Sequence, residues 1–489
     1  MSTITIGFLV YLIVVLLIGF WASRRNKSNE DYLLGGKRLN GWFLAFSERA
    51  SGESAWLLLG LPAAALVVGY GESWTAIGCP LGILFSWKYI ASKLQLETSK
   101  SNALTIPQYL SNKFDNCRII LGLGALISIF FYTFYVASGV DAAGKVLNMT
   151  FGVDKHQGMY IGTAVVLLYT IVGGFAAVVL TDVLQAILMV AALVILPTVG
   201  IYKLGGPSEF LSKLGEIQDP SFISWTNGLD GVAGLIFILG GLSWGFGYLG
   251  QPHLLTRFMA MPDTKEVKKG FVVAICWVIP AFIGAMLIGL VAKVAFSPEF
   301  LLEQGIALDG PSKEKLMPFF AQYFLPSWLA GVLICAAIAA MMSTADTQLL
   351  VCSSALCEDL YRRCFGNEPG DKTLLIISRV FTALICVIAL FIALMGNQSI
   401  MSMVSYAWGG LGSSFGPVVV LSLYWKKLTR QAVIFGLFFG SIGTVLWRNS
   451  SLQAIAPERF SIFVINLLLI LVVSYLMRRR QKSKRNCNG

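Results

Sequence analysis

Residues 50–55 read Ala50-Ser51-Gly52-Glu53-Ser54-Ala55 and interrupt an otherwise apolar stretch at residues 41–70. Small and hydroxyl-bearing residues around a central glycine are poor helix formers, so this segment predicts a membrane helix that breaks in its middle. A broken helix offers carbonyl oxygens to a cation and amide N–H groups to a carboxylate. Irregular backbone at membrane depth is tolerated only where it lines a cavity or is buried in protein.

The composition of the whole chain is that of a membrane protein. Of its 489 residues, 56% are hydrophobic and 13% are Asp, Glu, Lys or Arg, whereas soluble domains are about 45–50% apolar and about 25% charged. These values exclude a disordered chain, a collagen-like fibre and an ordinary cytosolic enzyme. Two histidines and nine cysteines without a CxxC pair argue against a zinc site and against histidine-based catalysis.

Thirteen stretches are long and apolar enough to be membrane spans. They lie near residues 4–22, 41–70, 71–92, 119–144, 158–175, 176–201, 231–251, 270–296, 323–357, 374–396, 399–425, 431–448 and 460–477. The polar segments between them are too short to form a core of their own. Residues 1–489 are therefore predicted to form a single integral membrane domain.

The basic residues are distributed unevenly along the chain. With the N-terminus outside, 28 Lys and Arg residues fall on the cytoplasmic side and 9 fall outside. This count takes Arg49 and Arg257 as cytoplasmic and Lys145 as external. Because cytoplasmic loops carry an excess of Lys and Arg, the pattern predicts an external N-terminus and a cytoplasmic C-terminus in the plasma (inner) membrane. The orientation of the chain in the lipid bilayer then accounts for the net charge of +11. Neither nucleic acid nor an obligate protein partner is expected.

A second interrupted span lies in the other half of the chain and reads Gly240-Gly241-Leu242-Ser243-Trp244-Gly245-Phe246-Gly247-Tyr248. Interrupted spans in corresponding halves are typical of the binding site of a secondary transporter. The alternative is that these glycine and serine residues only allow close helix packing. Taken together, the two interruptions favour transport. Trp244 and Tyr248 lie four residues apart, on one helix face, where aromatic rings can contact a substrate's apolar part or its ammonium group.

Polar residues in two further spans are suited to a cation. Ser343, Thr344, Asp346 and Thr347 follow one another within the ninth span, and a hard cation prefers such oxygen ligands. The alternative is that the hydroxyl groups bond to the preceding helical turn. The acids expected at membrane depth are Glu53, Asp141, Asp182 and Asp346. Each of them can ligate Na⁺ or carry H⁺, and Asp182 can also act as a structural hydrogen-bond acceptor.

Several motifs occur together in a specific order. They are Asp31-Tyr32-Leu33-Leu34-Gly35-Gly36, Trp56-Leu57-Leu58-Leu59-Gly60-Leu61-Pro62, Gly71-Glu72-Ser73-Trp74, Gly173-Gly174-Phe175 leading to Thr181-Asp182, Trp244-Gly245 through Gly250-Gln251-Pro252-His253, Met342-Ser343-Thr344 with Gln348-Leu349-Leu350-Val351-Cys352-Ser353-Ser354, Ser405-Tyr406-Ala407-Trp408 and Phe415-Gly416-Pro417. By these motifs the chain resembles the sodium:solute symporter family, and most closely its proline-transporter branch, over nearly its whole length.

The resemblance implies an all-α polytopic fold with a LeuT-like core. Two inverted five-helix repeats would lie at about 41–200 and 231–425, each with a discontinuous first helix, and additional helices at 4–22, 431–448 and 460–477. One Na⁺ would be held by carbonyl groups of Ala50, Glu53 and Ala340 and by the hydroxyl groups of Ser343 and Thr344. A second cation region would comprise Asp182, Asp346 and Thr347. The substrate residues implied are Ser54, Ala55, Trp56, Tyr135, Trp244 and Tyr248.

Lys37 and Glu72 stand at two further polar positions. They resemble positions that are important in that branch, through a role in gating or in structure. The chain also departs from the branch at two acids. At the first interruption the branch has a sequence that resembles Ala-Ser-Asp-Met-Ser-Gly, whereas the acid of this chain, Glu53, stands one residue later. On a helix, a shift of one residue rotates the side chain by about 100°. Asp346 stands where the branch tends to have a small hydroxyl residue.

The leading hypothesis is Na⁺-coupled symport of proline, or of a related small zwitterion, by alternating access. The alternative is a proton-coupled symporter of another small amino acid or carboxylate that uses Glu53 or Asp346. A transporter-like sensor is disfavoured because no segment of the sequence is suited to signalling chemistry. A channel is disfavoured because two interrupted helices fit an occluded binding site better than a continuous pore. No nucleophile–base pair or phosphate loop indicates an enzyme.

Overall fold

The computed structural model describes residues 3–23, 34–172, 174–366 and 370–487. The basic residues Arg24, Arg25 and Lys27 and the motif residues 31–33 and Gly173 lie outside these ranges. Within the described ranges the regular structure is entirely helical, without a β-strand.

Twenty-one α-helices follow one another in the described part of the chain. They are α1 (Thr3–Ser23), α2 (Gly41–Ala55), α3 (Leu61–Val68), α4 (Ser73–Phe85), α5 (Ser92–Ser101), α6 (Ile106–Lys113), α7 (Arg118–Phe151), α8 (Lys155–Val172), α9 (Phe175–Lys203), α10 (Pro207–Gly215), α11 (Gly231–Leu242), α12 (Trp244–Gly247), α13 (Pro252–Met259), α14 (Thr264–Ala295), α15 (Pro298–Glu303), α16 (Leu316–Phe324), α17 (Ser327–Ser354), α18 (Asp371–Met395), α19 (Ile400–Tyr424), α20 (Arg430–Arg448) and α21 (Glu458–Cys487).

Each of the thirteen predicted spans coincides with one of these helices or with a consecutive group of them. Eight helical stretches of the described chain are long and apolar enough to cross a membrane, and the bent group α11–α13 is a ninth. One of the eight, Gly41–Ser101, has 61 residues, about three times what one crossing needs. A 3₁₀ turn at Gly69–Glu72 divides it, where the sequence predicts a boundary between two spans. The count of thirteen crossings stays a prediction.

The first predicted break is a feature of the backbone. Ser54, near the end of α2, has φ 35° and ψ −168°, and a π-helical turn at Trp56–Gly60 then leads into α3. A side chain other than glycine at positive φ is strained, and such residues concentrate at functional sites. We call this position the first break.

The second break lies at the C-terminal edge of the predicted segment. The chain continues as helix through α12, and residues 248–251 then separate α12 from α13, which is inclined by 42°. Most glycines of the predicted segment serve close packing instead, as the alternative interpretation supposes. A methyl group on Gly245, for example, would lie 2.4 Å from the carbonyl oxygen of Gly78 in α4.

Helix α17 lies at the centre of the bundle, where it packs against α1, α2, α7 and α9. Every residue from Cys335 to Leu350 of this helix is buried. Helices α19, α20 and α21 pack against one another, and α19 also packs on α7. The two breaks are therefore held next to the middle of α7, α17 and α19.

Three basic residues lie elsewhere than the topology count assumes. Arg49 and Arg257, counted as cytoplasmic, and Lys145, counted as external, are at most 2% exposed and form ion pairs inside the protein. A charge buried among helices is tolerated when it is paired and hydrogen-bonded. A count by sequence position cannot detect such pairs, because the partners are provided by distant helices.

Candidate functional site

Hydroxyl groups of α17 contact the backbone beside the first break. Ser343 donates from Oγ to the carbonyl oxygens of Ala50, at 3.0 Å, and of Ala340, at 3.1 Å. Thr344 donates from Oγ1 to the carbonyl oxygen of Ser51, at 3.0 Å. Five oxygen atoms from α2 and α17 thus lie together in a buried region.

The carbonyl group of Glu53, which the resemblance implies as a further ligand, instead accepts the amide of Trp56. The carbonyl group of Ser51 occupies the corresponding place beside Thr344. Sequence reasoning missed Ser51 as a contact, although it is the residue directly after Ala50.

The side chain of Glu53 belongs to a buried network of charges. Arg49 donates from Nη1 to Glu53 Oε1, at 2.7 Å, and its other nitrogens bond to the carboxylate of Glu48. Trp87 donates from Nε1 to Glu48 Oε2, at 3.0 Å. Tyr248 donates its hydroxyl proton to the carboxylate of Glu53, 3.1 and 2.9 Å from the two oxygens. Because Tyr248 lies at the second break, this network joins the two interrupted helices.

A second charged cluster surrounds Asp182 of α9. Its Oδ2 accepts from Ser47 at 2.6 Å and from Ser51 at 3.2 Å, and Arg257 Nη2 lies 3.3 Å away. The same guanidinium nitrogen donates to Thr347 Oγ1 at 2.6 Å. The structure therefore brings Asp182 and Thr347 together through Arg257, a residue to which the sequence analysis gave no role in a site.

Three buried oxygen atoms near this cluster lack a hydrogen-bond donor within the described residues. They are Asp182 Oδ1, Asp346 Oδ2 and Gln185 Oε1. Asp346 Oδ1 accepts the amide of Thr347, at 2.5 Å. Buried acceptors without a donor are destabilising, and a cation or an added proton would satisfy them.

Asp141, the fourth acid expected at membrane depth, belongs to a different cluster. Its carboxylate pairs with Lys145 at 2.6 Å and with Lys155 at 2.7 Å. Lys145 also pairs with Glu314 at 2.6 Å. Glu314 in turn accepts the amides of Ile400 and Met401 at the start of α19, at 2.9 and 3.0 Å. This arrangement ties α7 to α8 and α19 at one end of the bundle.

The residues implied for substrate binding lie around the first break. Tyr135 donates from its hydroxyl to Ser54 Oγ at 3.3 Å. The rings of Trp56 and Trp244 are stacked with centroids 5.0 Å apart. Ser54, Ala55 and Tyr135 also line a cavity of about 10 Å³, which has room for one water molecule. Trp56 Nε1 is buried, and no acceptor for it occurs in the part of the chain that is described.

Trp408 of α19 connects these aromatic side chains. Its ring lies 4.7 Å from that of Tyr248 and 6.3 Å from that of Tyr135, measured between centroids. Its Nε1 donates to the carbonyl oxygen of Trp244 at 2.9 Å. The motif Ser405-Tyr406-Ala407-Trp408 was the only sequence signal for this residue.

Lys37 and Glu72 do not share a site. Lys37 lies in the turn Gly35–Lys37 before α2 begins, and Glu72 lies in the turn Gly69–Glu72 after α3 ends. The two residues are therefore at opposite ends of the first interrupted span.

The two ends of the bundle differ in their cavities. One cavity of about 640 Å³ is lined by residues that include Glu72, Trp244 and Arg459, and we call it the Trp244 cavity. A cavity of about 20 Å³ at the other end is lined by residues that include Thr105, Arg257 and Asp359, and we call it the Asp359 cavity. Thr105 closes against Asp359 there, donating to its carboxylate at 2.9 and 3.0 Å. Of these two cavities the Trp244 cavity is the larger, and the contact of Thr105 with Asp359 lies at the smaller one.

The fold and these clusters can be compared with known proteins. The model of the sodium:solute symporter family matches residues 32–440. A high-affinity proline transporter of Bacillus subtilis, PutP, is 37% identical over 464 residues, which are 94% of this chain and 96% of that protein. The sodium/proline symporter of Escherichia coli is 37% identical over 446 residues, 91% of this chain and 87% of that protein. These relatives are transporters, which confirms the expectation that the protein is not an enzyme.

A solved structure supports the fold independently. A Na⁺-coupled sialic acid symporter in a substrate-bound, outward-open state is similar with a TM-score of 0.80, at 20% identity, over 97% of this chain and 98% of that chain. This likeness confirms the all-helical transporter fold, whereas the repeat boundaries at 41–200 and 231–425 stay a prediction. With a family model matching most of the chain and relatives similar over nearly all of it, the chain belongs to the sodium:solute symporter family.

Proposed function

We propose that this protein is a Na⁺-coupled symporter of L-proline that works by alternating access. The observation that carries this proposal is the contact of Ser343 and Thr344 with carbonyl groups beside the first break. The proposal is supported by the proline transporters among the relatives, which cover nearly the whole chain.

The co-transported Na⁺ would bind among the oxygens of Ala50, Ala340, Ser343 and Thr344. Each hydroxyl group now directs its proton at a carbonyl oxygen, and a rotation about the C–O bond would turn its lone pairs toward the ion instead. Because the oxygens belong to both α2 and α17, the bound ion would favour the packing of these two helices. Such a preference for one conformation is what couples ion binding to substrate binding.

The substrate would lie against Ser54, Ala55, Trp56, Tyr135, Trp244 and Tyr248. The stacked rings of Trp56 and Trp244 offer an apolar surface for the pyrrolidine ring of proline. Trp56 Nε1, a buried donor without an acceptor in the described chain, is suited to the substrate carboxylate. The small side chain of Ala55 leaves room beside the break.

The oxygens of Asp182, Asp346 and Thr347 form the proposed second cation or proton site. Arg257 already neutralises one oxygen of Asp182, so the groups left for a further cation are Asp182 Oδ1 and Asp346 Oδ2. The alternative of proton coupling is best supported at Asp346, whose Oδ2 has no donor among the described residues. Glu53 is less suited to it, because Arg49 and Tyr248 bond to its carboxylate.

Uptake of radiolabelled L-proline into proteoliposomes tests the coupling. An inward Na⁺ gradient at equal pH is expected to drive accumulation, whereas a pH gradient without Na⁺ is not. Accumulation driven by the pH gradient alone, and lost in Asp346→Asn, would replace Na⁺ coupling by proton coupling. Glu53→Gln serves as the comparison variant, since accumulation should still respond to the pH gradient, although at a lower rate, if Asp346 carries the proton.

We further propose that the protein lies in the plasma membrane with its N-terminus outside and its C-terminus in the cytoplasm. The excess of basic residues in the segments assigned to the cytoplasm supports this orientation. The Trp244 cavity then opens outward. Labelling of Ala233→Cys, at the edge of that cavity, by an impermeant thiol reagent in whole cells tests the orientation; a label that appears only in inverted vesicles would reverse it.

A further inference from the structure

The small cavity beside the first break lies between the proposed Na⁺ ligands and the proposed substrate residues. Its volume is about 10 Å³, which is enough for one water molecule. Ser54 and Tyr135 of the proposed substrate site and Thr344 of the proposed Na⁺ site all line it, and we call it the Ser54 cavity. Hydroxyl groups from both proposed sites therefore border the same small space.

Gln348 of α17 also lines the Ser54 cavity, and its side chain is completely buried. Neither Nε2 nor Oε1 of this amide has a hydrogen-bond partner among the residues that the structure describes. A buried amide without partners costs free energy, and most buried polar groups in folded proteins bond to protein or to ordered water. Gln348 lies four residues after Thr344 and thus on the same face of α17, so the amide borders the cavity next to a proposed Na⁺ ligand.

Binding of Na⁺ would change the direction in which the Thr344 hydroxyl group donates. In the structure its proton is directed at the carbonyl oxygen of Ser51, at 3.0 Å. When the lone pairs of Oγ1 turn toward an ion, the proton turns away from that carbonyl group and needs another acceptor. A water molecule in the Ser54 cavity would be such an acceptor, because Thr344 is part of the lining.

Ser54 borders the cavity from the substrate side. Its Oγ accepts from the Tyr135 hydroxyl group at 3.3 Å and from the amide of Trp56 at 3.4 Å. Both contacts use lone pairs of Oγ, so the proton of Ser54 remains to be donated to a water molecule in the cavity. The amide of Gln348 offers a donor and an acceptor and can hold that water molecule in either orientation. One water molecule can therefore join Thr344, Ser54 and Gln348.

We propose that Gln348 is a positioning residue that holds one water molecule in the Ser54 cavity, and that this water links Thr344 of the Na⁺ site to Ser54 of the substrate site. The inference rests on the proposed function, since it takes Na⁺ and proline to bind at these two sites. Na⁺ turns the Thr344 proton toward the water, the water then fixes the Ser54 hydroxyl group, and proline binds more tightly. Because coupling between two binding sites is reciprocal, bound proline strengthens Na⁺ binding by the same factor.

Equilibrium binding of radiolabelled L-proline to the detergent-purified protein, with and without Na⁺, measures this link. We call the ratio of the two dissociation constants the Na⁺ enhancement. Gln348→Met replaces the amide by an apolar side chain of similar length and should reduce the Na⁺ enhancement about fivefold or more, because one hydrogen-bonded link is lost. Gln95→Met is the matched control. The amide of Gln95 is also buried but bonds away from the cavity, to Ser99, Met261 and Pro262, so this variant should lose thermal stability and keep the Na⁺ enhancement.

A second variant fills the cavity and leaves Gln348 in place. Gly139 of α7 lines the Ser54 cavity, and a methyl group on it would lie 3.2 Å from Cγ of Met341, a flexible side chain that lines the cavity too. Gly139→Ala should therefore displace the water molecule and reduce the Na⁺ enhancement to a similar extent. Gly122→Ala on the same helix is its control, because the added methyl group makes ordinary contacts of 3.7 and 3.9 Å with Cys364 and Leu360.

The outcomes separate this inference from the proposed function. Wild-type protein that does not bind proline, or binds it equally with and without Na⁺, would overturn the proposed function. Na⁺-dependent binding in the wild-type protein, with the Na⁺ enhancement reduced in neither or in only one of Gln348→Met and Gly139→Ala, would overturn the water link alone.

A dry cavity has its own signature in thermal unfolding. Gln348→Met would then remove an unpaired buried amide, so its unfolding temperature should rise while the Na⁺ enhancement stays unchanged, and the water link would be wrong. If Gln348→Met fails to fold, the comparison of Gly139→Ala with Gly122→Ala decides whether the cavity carries the link.

Discussion

Glu48, Arg49 and Glu53 form a charge triad in which one cation lies between two carboxylates. All three side chains are at most 2% exposed. With both carboxylates ionised, the triad has a net charge of −1, and hydrogen bonds from Trp87 and Tyr248 help to compensate it. The stability of the triad therefore depends more on its one cation, Arg49, than on either carboxylate.

We expect Arg49→Gln to destabilise the protein more than Glu53→Gln. The first change leaves two buried carboxylates without their cation, which costs about 3–5 kcal/mol. The second leaves Arg49 and Glu48 as a one-to-one pair and removes one charge-assisted bond, at about 1.5–3 kcal/mol. Thermal unfolding of the purified variants in one detergent measures the order, and an equal or reversed order would contradict this account of the triad.

The hydroxyl groups of Ser343 and Thr344 are expected to matter for Na⁺ rather than for folding. In Thr344→Ala the Na⁺ concentration for half-maximal proline uptake should rise about tenfold or more, since one oxygen ligand is lost, and Thr344→Ser should retain most of the affinity. Ser354→Ala is the matched control on the same helix, because its hydroxyl bonds within the described chain to Leu350 of its own preceding turn. A similar Na⁺ dependence in Thr344→Ala and Ser354→Ala would exclude Thr344 as a ligand.

Individual contacts were predictable only where sequence neighbours or the family resemblance point to them. Ser343 and Ala50 were expected together, and their atoms lie 3.0 Å apart. Arg257 was counted as a loop cation, although it bonds to Asp182 and Thr347. Its partners lie 75 and 90 residues away, and only the packing of α9, α13 and α17 brings them together.

The paired glycines of α4 and α12 determine how closely these helices approach. A methyl group on Gly245 would lie 2.4 Å from the carbonyl oxygen of Gly78, and one on Gly82 would lie 2.2 Å from that of Gly245. Backbone atoms cannot move aside as a flexible side chain does. The second interrupted span is therefore fixed against α4 by contact of main chains.

We expect Gly245→Ala to force α12 away from α4, with a loss of about 1–3 kcal/mol in stability and reduced proline uptake. Gly215→Ala in α10 is the control, because no atom lies within 4 Å of the added methyl group. Thermal unfolding and initial uptake rates, measured for both variants, check the prediction. If the two variants have equal thermal stability and equal uptake rates, the close approach of α12 to α4 is not needed for stability or for transport.

The helices themselves were predicted well from apolar length, and the breaks less precisely. A run of about twenty apolar residues has few alternatives to a helix in a membrane, so the spans follow from composition. The break at Ser54 falls within its predicted segment. In the second span, the chain changes direction at residues 248–251, at the C-terminal edge of the predicted segment. Glycine can serve a break or a close contact, and only the neighbouring α4 distinguishes the two uses.

Two cavities of different size lie at the two ends of the described bundle. The Trp244 cavity is about 640 Å³, whereas the Asp359 cavity is about 20 Å³. At the Asp359 cavity Thr105, the N-cap of α6, donates to Asp359 in the π-helical extension of α17. Under the proposed alternating access, we expect this contact to break when the Trp244 cavity closes.

We expect Thr105→Val to shift the protein toward the conformation that is open at the Asp359 end. The change leaves a fully buried carboxylate without its hydroxyl donor, a loss of about 1.5–3 kcal/mol. Only the conformation with a closed Asp359 end bears this loss, so the ratio of the two conformations should change about tenfold or more. Closure of the Trp244 cavity would then slow maleimide labelling of Ala233→Cys. Thr98→Val is the matched control, since among the residues described this buried hydroxyl bonds within its own helix, to Leu94 and Gln95. Lower thermal stability of Thr105→Val with an unchanged labelling rate would mean that Thr105 caps α6 without controlling access.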